Sequence, residues 1–189
     1  MAEKPLDGMR IAILVSTAFE QVELTEPMEA LAQAGAHVDI VAPNSGTITG
    51  MNHDVKKDDF NVDFTLDQVS PDEFDGVMLP GGALNADFLR VVPKAQEFVK
   101  KINSDGKPMA IICHAPWLLI SARLVKGRTL TSYHTIEDDI RNAGGNWEDR
   151  EVIRDKNWVT SRQPGDIQAF NREMVKMFAE LKQPARRVA

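Results

Sequence analysis

Uninterrupted apolar runs, rather than alternating ones, mark the strands of this chain. Residues 10–16 (RIAILVS) form such a run at strand length, which suits a parallel strand buried on both faces. After the loop TAFEQVEL, residues 25–34 carry Met28, Leu31 and Ala32 at helical spacing, with Pro27 read as a first-turn residue and Gly35 as the stop. Residues 37–42 (HVDIVA) return as a second strand, which makes a βαβ unit with a right-handed crossover. Residues 47–64 break the pattern, since polar positions dominate between scattered β-formers and Gly46 and Gly50 punctuate them, and a small antiparallel excursion is expected there.

The alternation resumes with a strand over 76–79 (GVML) that ends in Pro80-Gly81-Gly82, and a helical stretch over 87–104 broken at Pro93. A strand over 109–112 (MAII) runs directly into Cys113-His114 and an apolar helix over 116–124. The remaining pattern predicts a strand over 129–132, a helix over 136–143 stopped by Gly144-Gly145, and strands over 151–154 and 157–161 about a turn at Asp155-Lys156. A last helix over 167–181 carries Ile167, Phe170, Met174, Met177, Phe178 and Leu181 on one stripe. Strands alternating with helices imply one α/β sandwich of the flavodoxin-like type over residues 1–189, with a mostly parallel central sheet and helices on both faces. Residues 1–8 and 183–189 are expected to be flexible tails.

Composition narrows the function. The chain has 189 residues, of which 43% are hydrophobic and 26% charged, so it is not a disordered or low-complexity sequence. Its 22 Lys and Arg against 28 Asp and Glu leave a net charge of −6, and no basic run exceeds two residues, which argues against a nucleic-acid partner. One cysteine excludes an internal disulfide and a multi-cysteine zinc site, and fits a reducing compartment. The start MAEKPLDGMR is too polar for a signal sequence, and no apolar run approaches the roughly 20 residues that span a bilayer. A cytoplasmic location, no membrane partner, and neither metal nor cofactor are therefore expected.

Cys113 is the sharpest chemical feature. A residue between a strand and a helix is lifted above the sheet edge, and the helix N–H groups and dipole would favour a thiolate, although a lone cysteine can also simply fill a core. His114 is its neighbour in sequence, yet adjacent side chains at a sharp turn tend to diverge, so His134, after the strand over 129–132, competes for the role of base. His37 and His53 lack companions and carry no assignment. Glu20 and Glu23 would share a face if their segment were helical; Glu20 reads as helix-start acidity, and Glu23 as a carboxyl that could donate a hydrogen bond to a thiolate. Pro80-Gly81-Gly82 lacks the spacing of a nucleotide loop, and its N–H groups could form an oxyanion hole facing the cysteine.

Six segments, FEQVEL (19–24), LPGG (79–82), AIICHAPWLL (110–119), KGRTLTSY (126–133), DDIRNAGGNW (138–147) and WVTSRQPGD (158–166), fall in the order and spacing of the PfpI/ThiJ superfamily. From about Met9 to Leu181 the chain resembles that family, a class I glutamine amidotransferase-like domain whose members include intracellular proteases, bacterial stress proteins and a Parkinsonism-associated deglycase; the PfpI-type proteins are the nearest subgroup. The resemblance implies that Cys113 is the nucleophile, that Glu23 hydrogen-bonds it, and that Gly81, Gly82 and the His114 N–H are oxyanion-hole donors. It also implies that His114 pairs with an acidic residue of a neighbouring subunit at the position of Asp87, hence a homodimer or larger homo-oligomer. His134 matches a histidine of deglycase-type members, and Ala115 stands where the family usually has glycine. The implied function is that of a stress-response, cysteine-dependent hydrolase acting on glycated or 2-oxoaldehyde adducts, as a deglycase or glyoxalase would, or on peptides. The alternative is a non-enzymatic oxidative-stress sensor working through oxidation of Cys113.

Overall fold

The computed structural model describes residues 4–182. Along the chain run β1 (Arg10–Leu14), β2 (Phe19–Glu20), α1 (Val22–Gln33), β3 (His37–Ala42), β4 (Thr47–Asn52), β5 (Val55–Asn61), β6 (Phe64–Thr65) and β7 (Gly76–Leu79). There follow α2 (Ala83–Arg90), α3 (Pro93–Ser104), β8 (Met109–Ile112), α4 (Pro116–Ser121), β9 (Thr129–Leu130), α5 (Glu137–Asn142), β10 (Asn146–Trp147), β11 (Val152–Asp155), β12 (Trp158–Ser161) and α6 (Ile167–Leu181).

Seven strands form the central sheet in the order β11-β12-β8-β7-β1-β3-β6. All neighbours in it are parallel except the β11-β12 hairpin at one edge. The continuous apolar runs follow from burial on both faces. In β1, Ile11 and Ile13 pack with Leu24 and Leu31 of α1 and with Phe170, Met174 and Phe178 of α6. Ala12 and Leu14, pointing the other way, pack with Phe98 and Ile102 of α3 and Leu118 and Leu119 of α4. At roughly 25 cal/mol for each Å² of apolar surface removed from water, these two layers are the main stabilising term.

Several boundaries differ from the pattern. Pro27 lies inside α1 rather than in its first turn, because the helix begins at Val22. β9 does not enter the central sheet; it pairs in parallel with β10, a strand too short to leave a periodic signal. The excursion is the antiparallel β4-β5 hairpin, with β2 pairing on β4 in a separate three-stranded sheet. Residues 4–8, expected as part of a tail, are folded instead: Leu6 is fully buried and its N–H donates to the Ala34 carbonyl at 2.9 Å. Residues 1–3 and 183–189 lie outside the described residues.

β8, β7 and β1 are consecutive in the sheet. Their C-terminal ends deliver, side by side, Cys113, the Gly81-Gly82 turn and the segment leading to Glu23. This is the edge at which open α/β sheets bind ligands.

Candidate active site

Cys113 leaves β8 with φ 63°, a left-handed conformation that costs a non-glycine residue about 1–3 kcal/mol. Two backbone hydrogen bonds hold it there: its N–H donates to the Ser161 carbonyl at 3.1 Å, and its carbonyl accepts the Tyr133 N–H at 3.0 Å. The turn brings the neighbouring side chains together rather than apart, for Cys113 Sγ lies 3.2 Å from His114 Nδ1. The imidazole is fixed on its other sides by Thr135 Oγ1, 3.3 Å from Nε2, by stacking on Tyr133 at 4.9 Å, and by an edge contact with Trp117 at 5.3 Å. His134 goes elsewhere. It is exposed, tilts against Tyr133 at 4.7 Å and does not line the cavity at Cys113; since β9 is outside the central sheet, its end presents Tyr133 there instead.

Gly81 and Gly82 close the site from β7. The Asn85 carboxamide donates through Nδ2 to the Pro80 and Gly81 carbonyls at 3.0 and 2.9 Å and accepts the Ser16 N–H at 2.6 Å, which locks the turn. A side chain at Gly81 would overlap Glu23 Oε2 and stand 2.5 Å from Cys113 Cβ; at Gly82, with φ 90°, it would meet the backbone of Ala18, Phe19 and Glu20. The N–H groups of Gly82 and His114 act on the sulfur, whereas that of Gly81 acts on Glu23.

Glu23 is fully buried, and neither of its carboxyl oxygens completes a hydrogen bond. Desolvation, with the charge of Glu20 added, pushes its pKa up to about 8, against a weaker downward pull from the Cys113 thiol and the Gly81 N–H. Glu23 is therefore a neutral acid at neutral pH. The thiol of Cys113, a residue only 6% exposed, is pushed up rather than down: burial, and the Glu23 charge once that acid has ionised, outweigh the Gly82 and His114 N–H groups. That corrects the expectation of a thiolate favoured by the helix. α4 spans only six residues, and burial lowers the His114 pKa too, so no cation stands at the sulfur.

A cavity of about 410 Å³ opens above Cys113, lined by His114, Glu23, Glu20, Gly82, Tyr133, Leu84, Met51, His53 and Asp54 among others. Glu20 is not at a helix start. It ends β2, and its Oε2 accepts the His53 N–H at 3.0 Å, which ties the β4-β5 hairpin to the site. Tyr133, His53 and Asp54 carry no assignment in the sequence, and Glu20 reads there only as helix-start acidity; the signals were the KGRTLTSY segment, which ends at Tyr133, and the FEQVEL segment, which contains Glu20. Asp87 lies on the exposed face of α2, outside the cavity, and Ala115 is buried. Among the described residues, no group of three or more His, Cys, Asp or Glu side chains could hold a metal ion, and no helix is long and apolar enough to cross a membrane.

A parallel α/β sheet with a strained cysteine at its C-terminal edge, set between a histidine and a buried carboxyl, defines a class of cysteine-centred α/β proteins. Residues 9–177 match the DJ-1/PfpI family, and the chain belongs to it. It is 48% identical over 170 residues to the Pyrococcus furiosus protein named Deglycase PfpI, covering 89% of this chain and 99% of that one. It is 38% identical over 169 residues to the putative cysteine protease YraA of Bacillus subtilis, covering 89% and 97%. The crystal structure of Drosophila melanogaster DJ-1beta superposes with a TM-score of 0.80 at 27% identity, covering 90% of each chain.

Proposed function

We propose that the protein is a cysteine-dependent hydrolase of carbonyl adducts, a deglycase in kind, in which Cys113 attacks and His114 is the base. The observation that carries this reading is the 3.2 Å contact between Cys113 Sγ and His114 Nδ1 at the floor of an open cavity. A neutral imidazole beside a protonated thiol suits general-base activation. As the sulfur bonds to the carbonyl carbon, the thiol proton passes to Nδ1, and the oxygen takes up negative charge facing the Gly82 and His114 N–H groups. The carbonyl attacked is the aldehyde freed as the adduct's carbinol passes its hydroxyl proton to the departing carrier. Return of the Nδ1 proton to the oxygen gives a hemithioacetal, a proton shift through the enediol converts it to a 2-hydroxyacyl thioester with no external oxidant, and water cleaves that thioester to the 2-hydroxy acid and the free thiol. The deglycase name of the Pyrococcus relative supports the adduct over the peptide as substrate, whereas the protease name of the Bacillus relative keeps peptides as the competing class. A thiol this buried, and held protonated, is a poor oxidation sensor, because susceptibility follows thiolate character and exposure.

The site is read as composite. Among the described residues, His114 Nε2 meets only a threonine hydroxyl, whereas α2 and the residue that caps it present Asp87 among the exposed side chains of Leu84, Phe88 and Val91. A second copy docked on that face would bring a carboxylate to the imidazole and bury the three apolar residues. Assaying Cys113→Ser and His114→Gln on a methylglyoxal-derived adduct and on labelled casein tests the reading. Both should lose about 10²-fold or more on the adduct, and mixing Cys113→Ala with Asp87→Ala chains should restore part of the rate. Full turnover by Cys113→Ser sinks the hydrolase; no restoration in mixed oligomers sinks the composite site.

A further inference from the structure

The cavity above Cys113 has a one-sided charge inventory. Among the described residues, its carboxyl groups are Glu20, Glu23 and Asp54, its only basic groups are the imidazoles of His53 and His114, and no lysine or arginine lines it. The adjoining depression of about 520 Å³ adds Lys57 and Asp58, which offset one another. Glu23 sits on the floor with both oxygens buried, drawn by the Cys113 thiol and the Gly81 N–H but short of a complete hydrogen bond, so the floor keeps capacity for a polar group. Glu20 is half-buried at the wall. One of its oxygens holds the His53 N–H, at a hairpin tip where His53 itself has φ 55°, and this tie sets Asp54 at the mouth.

We propose that Glu20 and Asp54 make the mouth of this cavity a charge filter that favours adducts whose carrier group is positively charged, such as an amine, and rejects anionic carriers. The inference rests on the hydrolase reading for its substrate but on the cavity alone for its electrostatics. The charge of Glu20 already reaches the floor, where it is one of the causes that hold the Glu23 proton. A cation entering the same space meets an attraction from that charge, and a carboxylate or phosphate meets a repulsion with no basic side chain to offset it.

Cys113 is the only cysteine, so its modification by charged methanethiosulfonates reports the field at the sulfur directly. The trimethylammonium reagent and the sulfonate reagent would be compared, each rate normalised to the urea-unfolded chain. The cationic reagent should be favoured by about tenfold or more, and Glu20→Gln and Asp54→Asn should each cut that preference about fivefold, the size of one exposed charge contact. The preference should also shrink in about 1 M salt. A ratio near one in the parent, or one that neither variant changes, overturns the filter. Turnover of methylglyoxal hemithioacetals of thiocholine, 2-mercaptoethanol and 3-mercaptopropionate should follow the same order, cationic above neutral above anionic. Turnover of all three at equal rates would remove the filter and leave the hydrolase. Failure of all three would remove the hydrolase, and the modification ratio would still decide the filter.

Discussion

The buried Glu23 carboxyl should leave a signature in the pH dependence of folding. In the unfolded chain it ionises at the ordinary glutamate value of 4.5, and in the fold at about 8. Between those values the folded state holds one proton that the unfolded state has released, so stability falls as pH rises, by about 1.4 kcal/mol per pH unit. This contribution is fully present below 4.5, is lost progressively up to about 8, and is flat above. Across the whole window it amounts to about 5 kcal/mol, a ceiling that local relaxation and water entry lower to about 2–4 kcal/mol. Glu23→Gln replaces the protonated acid with a neutral group of the same shape and should abolish the slope.

Urea denaturation followed by tryptophan fluorescence, at pH 5, 6, 7 and 8 and fixed protein concentration, measures this directly, and the chain has three tryptophans to report it. The variant should match the parent near pH 5 and exceed it by about 2–4 kcal/mol at pH 8. His114 contributes with the opposite sign, because its lowered pKa makes stability rise with pH, but it is common to both proteins and cancels in the difference. Cys113, raised above 9.0, is outside the window. A difference curve that is flat from pH 5 to 8 would mean that Glu23 is ionised in the fold, and the account of the site as a neutral acid against a protonated thiol would fall.

The close approach at Gly81 predicts that Gly81→Ala loses about 1–3 kcal/mol of stability, because its Cβ must drive Glu23 and Cys113 apart; an unchanged urea midpoint together with unchanged Cys113 reactivity would contradict the packing. The raised thiol predicts that iodoacetamide labels Cys113 more slowly at pH 7 than it labels the unfolded chain, and that Glu23→Gln moves the labelling midpoint down by removing a negative neighbour. Labelling at pH 6 faster than in the unfolded chain would show a thiolate already present.

Legibility in the sequence tracked how local each cause is. β3, β7, β8 and α6 coincide with the expected ranges, because a continuous apolar run or a long stripe records burial residue by residue. β9 was misplaced because Thr-Leu-Thr reads as a strand whatever it pairs with, and its partner is the two-residue β10. That error carried into the site: a strand in the central sheet would have aimed His134 at the cysteine, whereas the hydrogen bond from the Tyr133 N–H to the Cys113 carbonyl aims Tyr133. Glu20 was misread for a similar reason, since β2 exists only through its ladder with β4. The direction of the thiol shift was missed because a sequence shows the helix after Cys113 but not how completely the fold covers it.

Backbone conformation gives a further argument that these residues form one site. Among the described residues, five that are not glycine have positive φ: Ala18, His53, Cys113, Arg123 and Lys156. Lys156 turns the β11-β12 hairpin and Arg123 follows α4, where left-handed residues are common ends of local structure. The other three come from separate segments, yet all line the cavity at the sulfur. A cysteine that only filled the core would gain nothing from φ 63°, since the same volume could be packed from an unstrained strand end. Strain of about 1–3 kcal/mol at a buried residue persists only where surrounding contacts over-determine it, here the bonds to Ser161 and Tyr133 and the contact with Gly81. What the strained turn secures is the placement of Sγ between an imidazole and a neutral carboxyl, beneath an opening, the placement that the proposed attack by Cys113 requires and that core packing does not.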